Sequence, residues 1–247
     1  MLTNNQKALI SGASAGAFGF TLTLPLDYMK QHLQSGSSVT NIRGEIMKNG
    51  WKVLFRGGMV GLGSIVPQMA IKYYTFQSLL GYDLSYPMAG VCAGLVDGVF
   101  LGPVLAKQSM RQMNIKNGNV LIKSNFGQLM VPMALRNGIY TGIVMGNFGI
   151  MKNIVYGHKK VNFLDNFMMA SVLNIPGTLL CSPFDVIRAN HISDCGKKGL
   201  GEVVKDIWEK NGWKGFYRGY KSLYFNFALR FPLTLALQIE IMKKLNK

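Results

Sequence analysis

Acidic and basic side chains recur at fixed positions behind prolines in this sequence. Residues 25–34 read PLDYMKQHLQ and residues 183–192 read PFDVIRANHI, so an acid follows each proline by two positions and a base follows the acid by three. Residues 103–112 read PVLAKQSMRQ, without the acid, and the prolines lie 78 and 80 residues apart. Acid–base pairs in an apolar setting are costly to desolvate and readily exchanged for water. A threefold repeat of such motifs suits a gate that must open and close.

The stretches that carry these motifs are apolar enough to cross a membrane. Ala8 to Leu26 and Asn166 to Phe184 each contain 19 residues without an ionisable side chain, enough for a hydrocarbon core about 30 Å thick. Four further apolar stretches with one to three charged residues each cover 57–80, 86–106, 128–151 and 220–242. The chain is 49% hydrophobic and 15% charged, with a mean hydropathy of +0.18. We therefore expect six spans, the alternative for each clean stretch being a buried helix of a soluble protein.

The formal charge of +16 is compatible with nucleic acid, a membrane surface or anionic small molecules as partners. Many of the bases fall in the polar links behind the proline motifs, at Arg43, Lys48, Lys52, Arg56, Lys116, Lys123, Lys197, Lys198, Lys205, Lys210, Lys214, Arg218 and Lys221. A six-span topology puts all three links on one side of the membrane, in agreement with the positive-inside bias. No extended basic face with interleaved aromatics is left over, so nucleic acid is not an expected partner.

The residues that usually build catalytic and metal sites are scattered. The cysteines are Cys92, Cys181 and Cys195, an odd number without CxxC spacing, and the sequence has no GxSxG, HExxH or GxxxxGK[ST] motif. We therefore expect no enzyme activity, no metal and no cofactor.

Small residues precede the prolines at matching offsets. Glycines lie 13 and 9 residues before the first two prolines, at Gly12, Gly16, Gly90 and Gly94. Small residues four apart on one helix face let neighbouring helices approach closely in lipid. The third repeat has Asn174 at the second of these positions, so we expect an altered contact there.

The links contain a second repeated motif. Residues 49–57 read NGWKVLFRG and residues 211–219 read NGWKGFYRG, whereas the second repeat has only SNFG at 124–127. A base beside the free backbone N–H groups of a helix start makes an anion site, and next to a bilayer the expected anion is a lipid phosphate. The candidate residues for this contact are Arg56, Gly57, Arg218 and Gly219.

With these motifs in place, the chain resembles the mitochondrial carrier family over essentially its whole length. The first and third repeats match the family signature well and the second is degraded. The resemblance implies an all-α membrane protein of six transmembrane helices in three pseudo-symmetric repeats, approximately 1–82, 83–160 and 161–247, around a central cavity. It also implies short helices on the matrix side, bound cardiolipin, a monomer, and a multi-pass location in the mitochondrial inner membrane.

The resemblance gives the proline motifs a role in a gate on the matrix side. Pro25, Pro103 and Pro183 each remove a helical hydrogen bond and act as helix hinges, so that the odd-numbered helices converge at one end. Gln34 and Gln112 stand where family members often brace the gate with a side-chain amide.

The resemblance implies that each gate acid faces the base position of the next odd-numbered helix. These pairs are Asp185 with Lys30, Asp27 with Gln108, and Leu105 with Arg188. Glutamine can hydrogen-bond to Asp27 but cannot neutralise it, and leucine leaves Arg188 without an acid. The sequence therefore predicts one full ion pair of three.

The family's opposite, cytosolic gate is also incomplete in this sequence. Its candidate residues are Gln77, Lys152, Glu240 and Lys243, of which the last two retain an acid and a base. Because both gates lack charges, we expect a low barrier between conformations. The hypothesis that follows is exchange without strict coupling, or uniport.

Charged residues inside the spans are the default candidates for binding substrate, because exposing them to lipid costs about 3 kcal/mol or more. They are Lys72, Asp97, Arg136 and Arg230. The alternative for each base is snorkelling or an interhelical salt bridge with Asp97. Three bases against one acid should concentrate an anion with phosphate or carboxylate groups.

The resemblance adds neighbours to these bases. Ser64 falls at the family's first contact position, eight residues from Lys72 and so on nearly the same helix face. Asn137 beside Arg136 fits the second contact position; a register shifted by two puts Gly138 and Ile139 there, with Tyr140 as a surface for stacking a base. Asn226 falls at the third position, one turn from Arg230.

The expected function is transport of an anionic metabolite by alternating access, with a nucleotide or deoxynucleotide as the first expectation. A carboxylate, keto acid or amino acid is the competing substrate class, because an arginine followed by an asparagine is a contact the family uses for carboxylates and keto acids. A degenerate carrier that acts as a proton leak or a membrane adaptor is the remaining alternative, which the incomplete gates favour and the retained bases oppose.

Overall fold

A computed structural model describes residues 4–115, 126–157 and 162–245, and all regular structure in these ranges is helical. The prediction of an all-α protein is confirmed. Most of the second link, including Lys116 and Lys123, lies outside the described residues. The helices are α1 Asn4–Gln34, α2 Val39–Asn49, α3 Gly58–Leu80, α4 Tyr86–Gln112, α5 Phe126–Thr141, α6 Asn147–Tyr156, α7 Phe163–Ser193, α8 Leu200–Asn211 and α9 Tyr220–Leu245.

Polar caps and glycines define the ends of several helices. Asn162 and Asp165 form a reciprocal capping box at the start of α7, and the Ser38 hydroxyl accepts a hydrogen bond from the Asn41 backbone at the start of α2. Gly57, between the first link and α3, has a φ of 77°, a conformation that favours glycine. The chain can therefore turn sharply from the link into the next long helix.

The long helices pack side by side in a closed ring. Helix α1 contacts α3 and α9, α4 contacts α3 and α5, and α7 contacts α5 and α9. A π-helical turn, Gly142–Gly146, joins α5 to α6, and the Asn147 amide donates to the carbonyls of Gly142 and Ile143 there. The ring surrounds a central cavity that every long helix can reach.

The three repeated prolines lie inside helices that continue beyond them. Pro25, Pro103 and Pro183 fall within α1, α4 and α7, which run on to Gln34, Gln112 and Ser193. These helices also contact one another across the ring, through polar side chains that follow the prolines in sequence. The predicted convergence of the odd-numbered spans at one end is therefore present.

Glycines bring α4 and α5 into backbone contact. A Cβ atom on Gly90 would lie 2.9 Å from the Gly142 backbone, and one on Gly94 would overlap the carbonyl of Asn137. In α1, a Cβ on Gly12 or Gly16 would instead meet side chains of the neighbouring helices. The predicted close approach is therefore tightest in the second repeat.

The asparagine that replaces a small residue in the third repeat makes polar contacts of its own. Asn174 is fully buried, accepts a hydrogen bond from the Tyr140 hydroxyl and donates to the carbonyl of Phe227. It thereby links α7 to both neighbouring helices, which is the altered contact that the sequence predicts.

Two of the described helices, α4 and α7, are long and apolar enough to cross a membrane by length and composition alone. Large apolar side chains also lie exposed on the outside of the ring, including Phe18, Leu22 and Phe100. An apolar outer surface of this kind is typical of contact with lipid or with another protein.

Replacing Gly94 tests the contact between α4 and α5. We expect Gly94→Ala to lower the free energy of unfolding by about 1–3 kcal/mol, because the new methyl group meets backbone that cannot move aside. Thermal unfolding of the purified protein in detergent measures this. Gly63→Ala is the matched control, since a Cβ there meets nothing within 4 Å. A Gly94→Ala protein as stable as the control would contradict the close approach.

Candidate functional site

The end of the ring where α1, α4 and α7 meet is closed by a buried polar layer. We use this name for five residues that follow the prolines: Asp27, Lys30, Gln108, Asp185 and Arg188. The Lys30 ammonium lies 3.3 Å from an Asp185 carboxylate oxygen, and the Gln108 amide donates to Asp27 at 3.0 Å. Both contacts are those that the sequence predicts, while their role as a gate stays a prediction.

The two predicted brace residues differ. The Gln112 amide donates to Asp27 at 3.1 Å, beside Gln108. The Gln34 side chain has no hydrogen-bond partner among the described residues, and only its backbone carbonyl is used, by Asn190 at 3.0 Å. The predicted brace at Gln34 is therefore not formed. The Asp185 carboxylate is contacted by three basic side chains instead.

Arg188 does not stand without partners, contrary to the sequence prediction. One of its guanidinium nitrogens, Nη2, lies 3.3 Å from the Gln31 side-chain oxygen and 3.8 Å from Asp185, one helical turn away. Leu105 does occupy the position of the missing acid and lines the cavity. A neutral amide on α1 and the acid of its own helix therefore replace the partner that Leu105 lacks.

Above the polar layer, the ring encloses a cavity that brings together most of the predicted substrate-binding residues. It is lined by Ser64, Lys72, Arg136, Tyr140 and Arg230, together with polar and aromatic side chains. Here the sequence identified residues from three different helices correctly as neighbours of one cavity.

Two of the predicted substrate contacts are not part of the cavity wall. Asn226 is fully buried between α9 and α1, where its amide donates to the Thr23 carbonyl at 3.3 Å. Asn137 is also buried, and its amide donates to Asp97 at 3.0 Å. Both amides are used in contacts between helices, so in this structure they cannot contact a substrate.

Lys72 forms the salt bridge that the sequence left open as its alternative role. Its ammonium lies 3.1 Å from the same Asp97 oxygen that accepts hydrogen bonds from Gln68 and Asn137. Asp97 is completely buried, whereas the Lys72 side chain keeps 17% of its surface exposed. Lys72 therefore both stabilises the α3–α4 contact and presents positive charge to the cavity.

The two cavity arginines contact the acids of the polar layer. Arg136 Nε lies 3.4 Å from Asp185, and Arg230 Nη2 lies 3.7 Å from Asp27. Arg230 Nε also donates to the Thr23 hydroxyl at 2.7 Å. The expectation of three cavity bases facing Asp97 alone is therefore wrong, because spatially close acids from other repeats share them.

The resulting cluster still carries an excess of positive charge. Within the described ranges the cluster has two more bases than acids. The five bases are Lys30, Lys72, Arg136, Arg188 and Arg230, and the three acids are Asp27, Asp97 and Asp185. Inside a low-dielectric ring such an excess attracts anions, since it is screened far less than charge on an open surface.

Aromatic rings support the basic side chains. Phe227 lies under both Lys30 and Arg136, at 5.2 and 4.8 Å, and Phe20 lies 4.8 Å from Arg230. The predicted stacking surface at Tyr140 is packed edge-on against Phe227 and Phe231, and its hydroxyl is used by α7. Its ring is 7% exposed at the cavity wall, so it is not free to stack on a ligand by itself.

The opposite end of the ring has no comparable layer in the part of the chain described. Glu240 and Lys243 form a pair at 3.6 Å, but both belong to α9. Gln77 on α3 is exposed and Lys152 on α6 is half-buried. The residues predicted for the cytosolic gate therefore make no ion pair between helices here, and the ring is closed at the polar layer alone.

The predicted lipid-phosphate residues are partly used inside the protein. Arg56 pairs at 2.9 Å with Glu45, which also accepts a hydrogen bond from Tyr28. Arg218 donates to the carbonyl of Gly36 at 2.9 Å, and Gly57 and Gly219 both have positive φ at helix starts. No described residues form a group that could hold a metal ion.

Sequence reasoning missed several neutral residues that complete the site. Thr23, Gln31 and Gln68 contact Arg230, Arg188 and Asp97. Each is a hydrogen-bonding side chain inside or next to an apolar stretch, which is a signal that the sequence contains. A search for charged residues alone does not find it.

A model of a known protein family matches this chain in the first and third repeats. A family model described as mitochondrial carrier protein matches residues 3–82 and 159–230. The unmatched part includes the second repeat, whose motifs are degraded.

Curated proteins of this kind are similar at low identity. A chloroplastic nicotinamide adenine dinucleotide transporter of Arabidopsis thaliana is 25% identical, over 85% of this chain and 82% of its own length. A mitochondrial adenyl nucleotide antiporter of Danio rerio is 28% identical, over 86% of this chain and 53% of its own. A mitochondrial 2-oxodicarboxylate carrier of Mus musculus is 26% identical over 76% of each chain. This chain spans from about half to about four fifths of the length of these three relatives, and as little as 29% of an adenine nucleotide transporter of Arabidopsis thaliana.

Neutralising Asp185 tests the polar layer. We expect Asp185→Asn to lower the free energy of unfolding by about 3–5 kcal/mol, because three buried bases lose their acid. Thermal unfolding in detergent is the measurement. Asp206→Asn is the control, since it also breaks an ion pair, with Lys198, but on the protein surface, where pairs contribute little. Equal melting temperatures for the two variants would contradict the role given to Asp185.

Proposed function

Because this chain belongs to the mitochondrial carrier family, whose members are transporters and not enzymes, we propose that it carries an anionic metabolite across the mitochondrial inner membrane by alternating access. We further propose that the anion is a nucleotide or deoxynucleotide. The observation that carries the proposal is the excess of two positive charges in the cluster around the cavity.

The charges of the cluster suit an anion with several negative oxygens. Lys72, Arg136 and Arg230 reach the cavity from three different helices, and guanidinium groups bind phosphate through two parallel hydrogen bonds. Each of these bases contacts a carboxylate of the protein. An incoming anion can contact the same base beside that carboxylate. A polyphosphate can therefore be bound from several sides at once.

Aromatic side chains favour a nucleotide over a small carboxylate. Phe20, Tyr140, Phe227 and Phe231 all line the same cavity. An apolar aromatic wall next to cationic groups matches the two parts of a nucleotide, a flat base and a charged phosphate chain. Relatives whose names specify nucleotides as substrates agree with this assignment.

A carboxylate or keto acid is the second candidate, because relatives also include a 2-oxodicarboxylate carrier and an aspartate/glutamate antiporter. The sequence argument for it was the neighbouring pair Arg136 and Asn137. In the structure the Asn137 amide is bound to buried Asp97, which weakens that argument. The nucleotide therefore stays the preferred substrate.

The proposal includes the arrangement of the chain in the membrane. The long helices of the ring form six spans in three repeats of a single carrier domain, with α2 and α8 on the matrix side. The exposed apolar side chains then face lipid, and the protein functions as a monomer. Cardiolipin binds at the helix starts around Gly57 and Gly219, near Arg56 and Arg218.

Closure at the polar layer together with an open opposite end corresponds to one of the two states of alternating access. In this state the cavity faces the cytosol. The opposite state requires Lys30 and Asp185 to separate and the ends of α3, α6 and α9 to approach each other. The energy for this comes from gradients, and no hydrolysis is involved.

Uptake by proteoliposomes tests the function. We expect purified protein in cardiolipin-containing vesicles to exchange ATP or a deoxynucleotide, and Arg136→Ala to reduce the rate about 10- to 100-fold, the equivalent of one charge-assisted hydrogen bond. Lys205→Ala is the control, because this exposed lysine lies far from the cavity on α8. Arg136→Lys should retain part of the rate, since it keeps the charge and loses the planar fork.

The outcomes separate the candidates. Uptake of di- or tricarboxylates, keto acids or amino acids without any uptake of nucleotides would replace the proposed substrate. No uptake across the whole panel, combined with proton flux measured by a pH-sensitive dye inside the vesicles, would replace transport of a metabolite by a proton leak. Exchange that proceeds without any internal substrate would identify uniport.

A further inference from the structure

The polar layer lacks the base that should neutralise Asp27. The position on α4 that faces this acid is Gln108, whose amide donates to Asp27 at 3.0 Å but brings no charge. Gln112 adds a second neutral donor. Lys30, the base of the same motif, is directed to Asp185 instead. A carboxylate that is 9% exposed therefore has no cation from the motif repeats themselves within ion-pair distance.

A cavity arginine reaches Asp27 from a different helix. Arg230 Nη2 on α9 lies 3.7 Å from the Asp27 carboxylate, the one ion-pair contact of this acid among the described residues. The guanidinium is fixed in this place by its Nε, which donates to Thr23, and by Phe20, over which it stacks. Both supports belong to α1, the helix that carries Asp27.

The same guanidinium is accessible to a ligand. Arg230 lines the cavity with 23% of its side chain exposed, whereas its Nη2 atom is buried and has no hydrogen-bond partner among the residues that the structure describes. At 3.7 Å the contact with Asp27 is electrostatic without being a hydrogen bond. An anion in the cavity that contacts the exposed part of this side chain can therefore compete with Asp27 for the charge of the guanidinium.

We propose that Arg230 is a positioning residue that closes the polar layer at Asp27 in place of the base missing at position 108, and that the anionic substrate and Asp27 compete for its guanidinium. The second part rests on the proposed function. When the anion takes Arg230, the buried Asp27 carboxylate loses its countercharge, and the closure between α1, α4 and α9 weakens.

Asp185 behaves differently when the substrate binds. It contacts Lys30, Arg136 and Arg188, so it keeps two bases even when an anion takes Arg136. Opening therefore begins at Asp27, the acid with a single ion-pair partner. This asymmetry is particular to a chain in which Gln108 stands at a base position.

A charge placed at position 108 tests the first part of the inference. We expect Arg230→Gln to lower the melting temperature of the full chain in detergent with cardiolipin and without substrate. Adding Gln108→Lys should recover most of that loss, because the new ammonium replaces the missing cation at the Gln108 contact to Asp27. The matched control is Lys72→Gln with and without Gln108→Lys, since Lys72 pairs with Asp97 and not with Asp27.

Rescue of Arg230→Gln together with no rescue of Lys72→Gln supports the inference. Equal rescue of both variants, or rescue of neither, overturns it, because the effect of position 108 is then not specific to Asp27. If Arg230→Gln alone yields no folded protein, recovery of a folded double variant supports the inference and its absence overturns it. None of these measurements depends on a substrate, so they decide the closure even if the proposed transport fails.

ATP binding tests the competition. We expect Gln108→Lys to tighten ATP binding several-fold in the wild-type background, because Arg230 is released from Asp27. The added lysine also attracts ATP by its own charge. The change in ATP affinity that Gln108→Lys causes in the Arg230→Gln background measures this contribution, because no Arg230 is present to be released. If Gln108→Lys raises the ATP affinity no more in the wild-type background than in the Arg230→Gln background, the competition is overturned. Absence of ATP binding to the wild-type protein would instead refute the nucleotide proposal and, with it, the competition as stated for ATP.

Discussion

The structure depends on how three buried carboxylates are neutralised inside an apolar ring. Asp27, Asp97 and Asp185 lie among helices where an uncompensated charge would cost several kcal/mol. Each is therefore contacted by at least one base from another helix, and these contacts join α1 with α7 and α9, α3 with α4, and α5 with α7. The same bases line the cavity, so the groups that hold the helices together are also those that an anion would bind.

Much of this could be predicted from the sequence because the relevant signals are local. Motif spacing identified the proline-containing helices, and the resemblance to the carrier family gave the partners of Lys30 and Gln108, because it implies which acid faces which base position. Close packing of Gly90 and Gly94 followed from their positions four residues apart. Each of these predictions rests on a short motif within one helix, or on the family arrangement of such motifs.

Contacts between cavity residues and the residues of the proline motifs could not be predicted in the same way. The pairs of Arg136 with Asp185 and of Arg230 with Asp27 join a cavity position to a proline motif, and depend on side-chain length and on the tilt of the helices. The Gln34 amide, which makes no hydrogen bond among the described residues, could not be predicted either, because its position in the motif does not say which acceptors lie within reach. Asn226 failed as a substrate contact because its helix face turns towards Thr23.

The contact of Glu45 with both Tyr28 and Arg56 has a mechanical consequence. Tyr28 is fully buried on α1, three residues after Pro25, Glu45 belongs to α2, and Arg56 directly follows the short 3-10 helix Trp51–Phe55 that precedes α3. These contacts tie the three segments together. A hinge motion of α1 at its proline would therefore be transmitted to α2 and the start of α3, so that this repeat would move as a unit rather than by bending of a single helix.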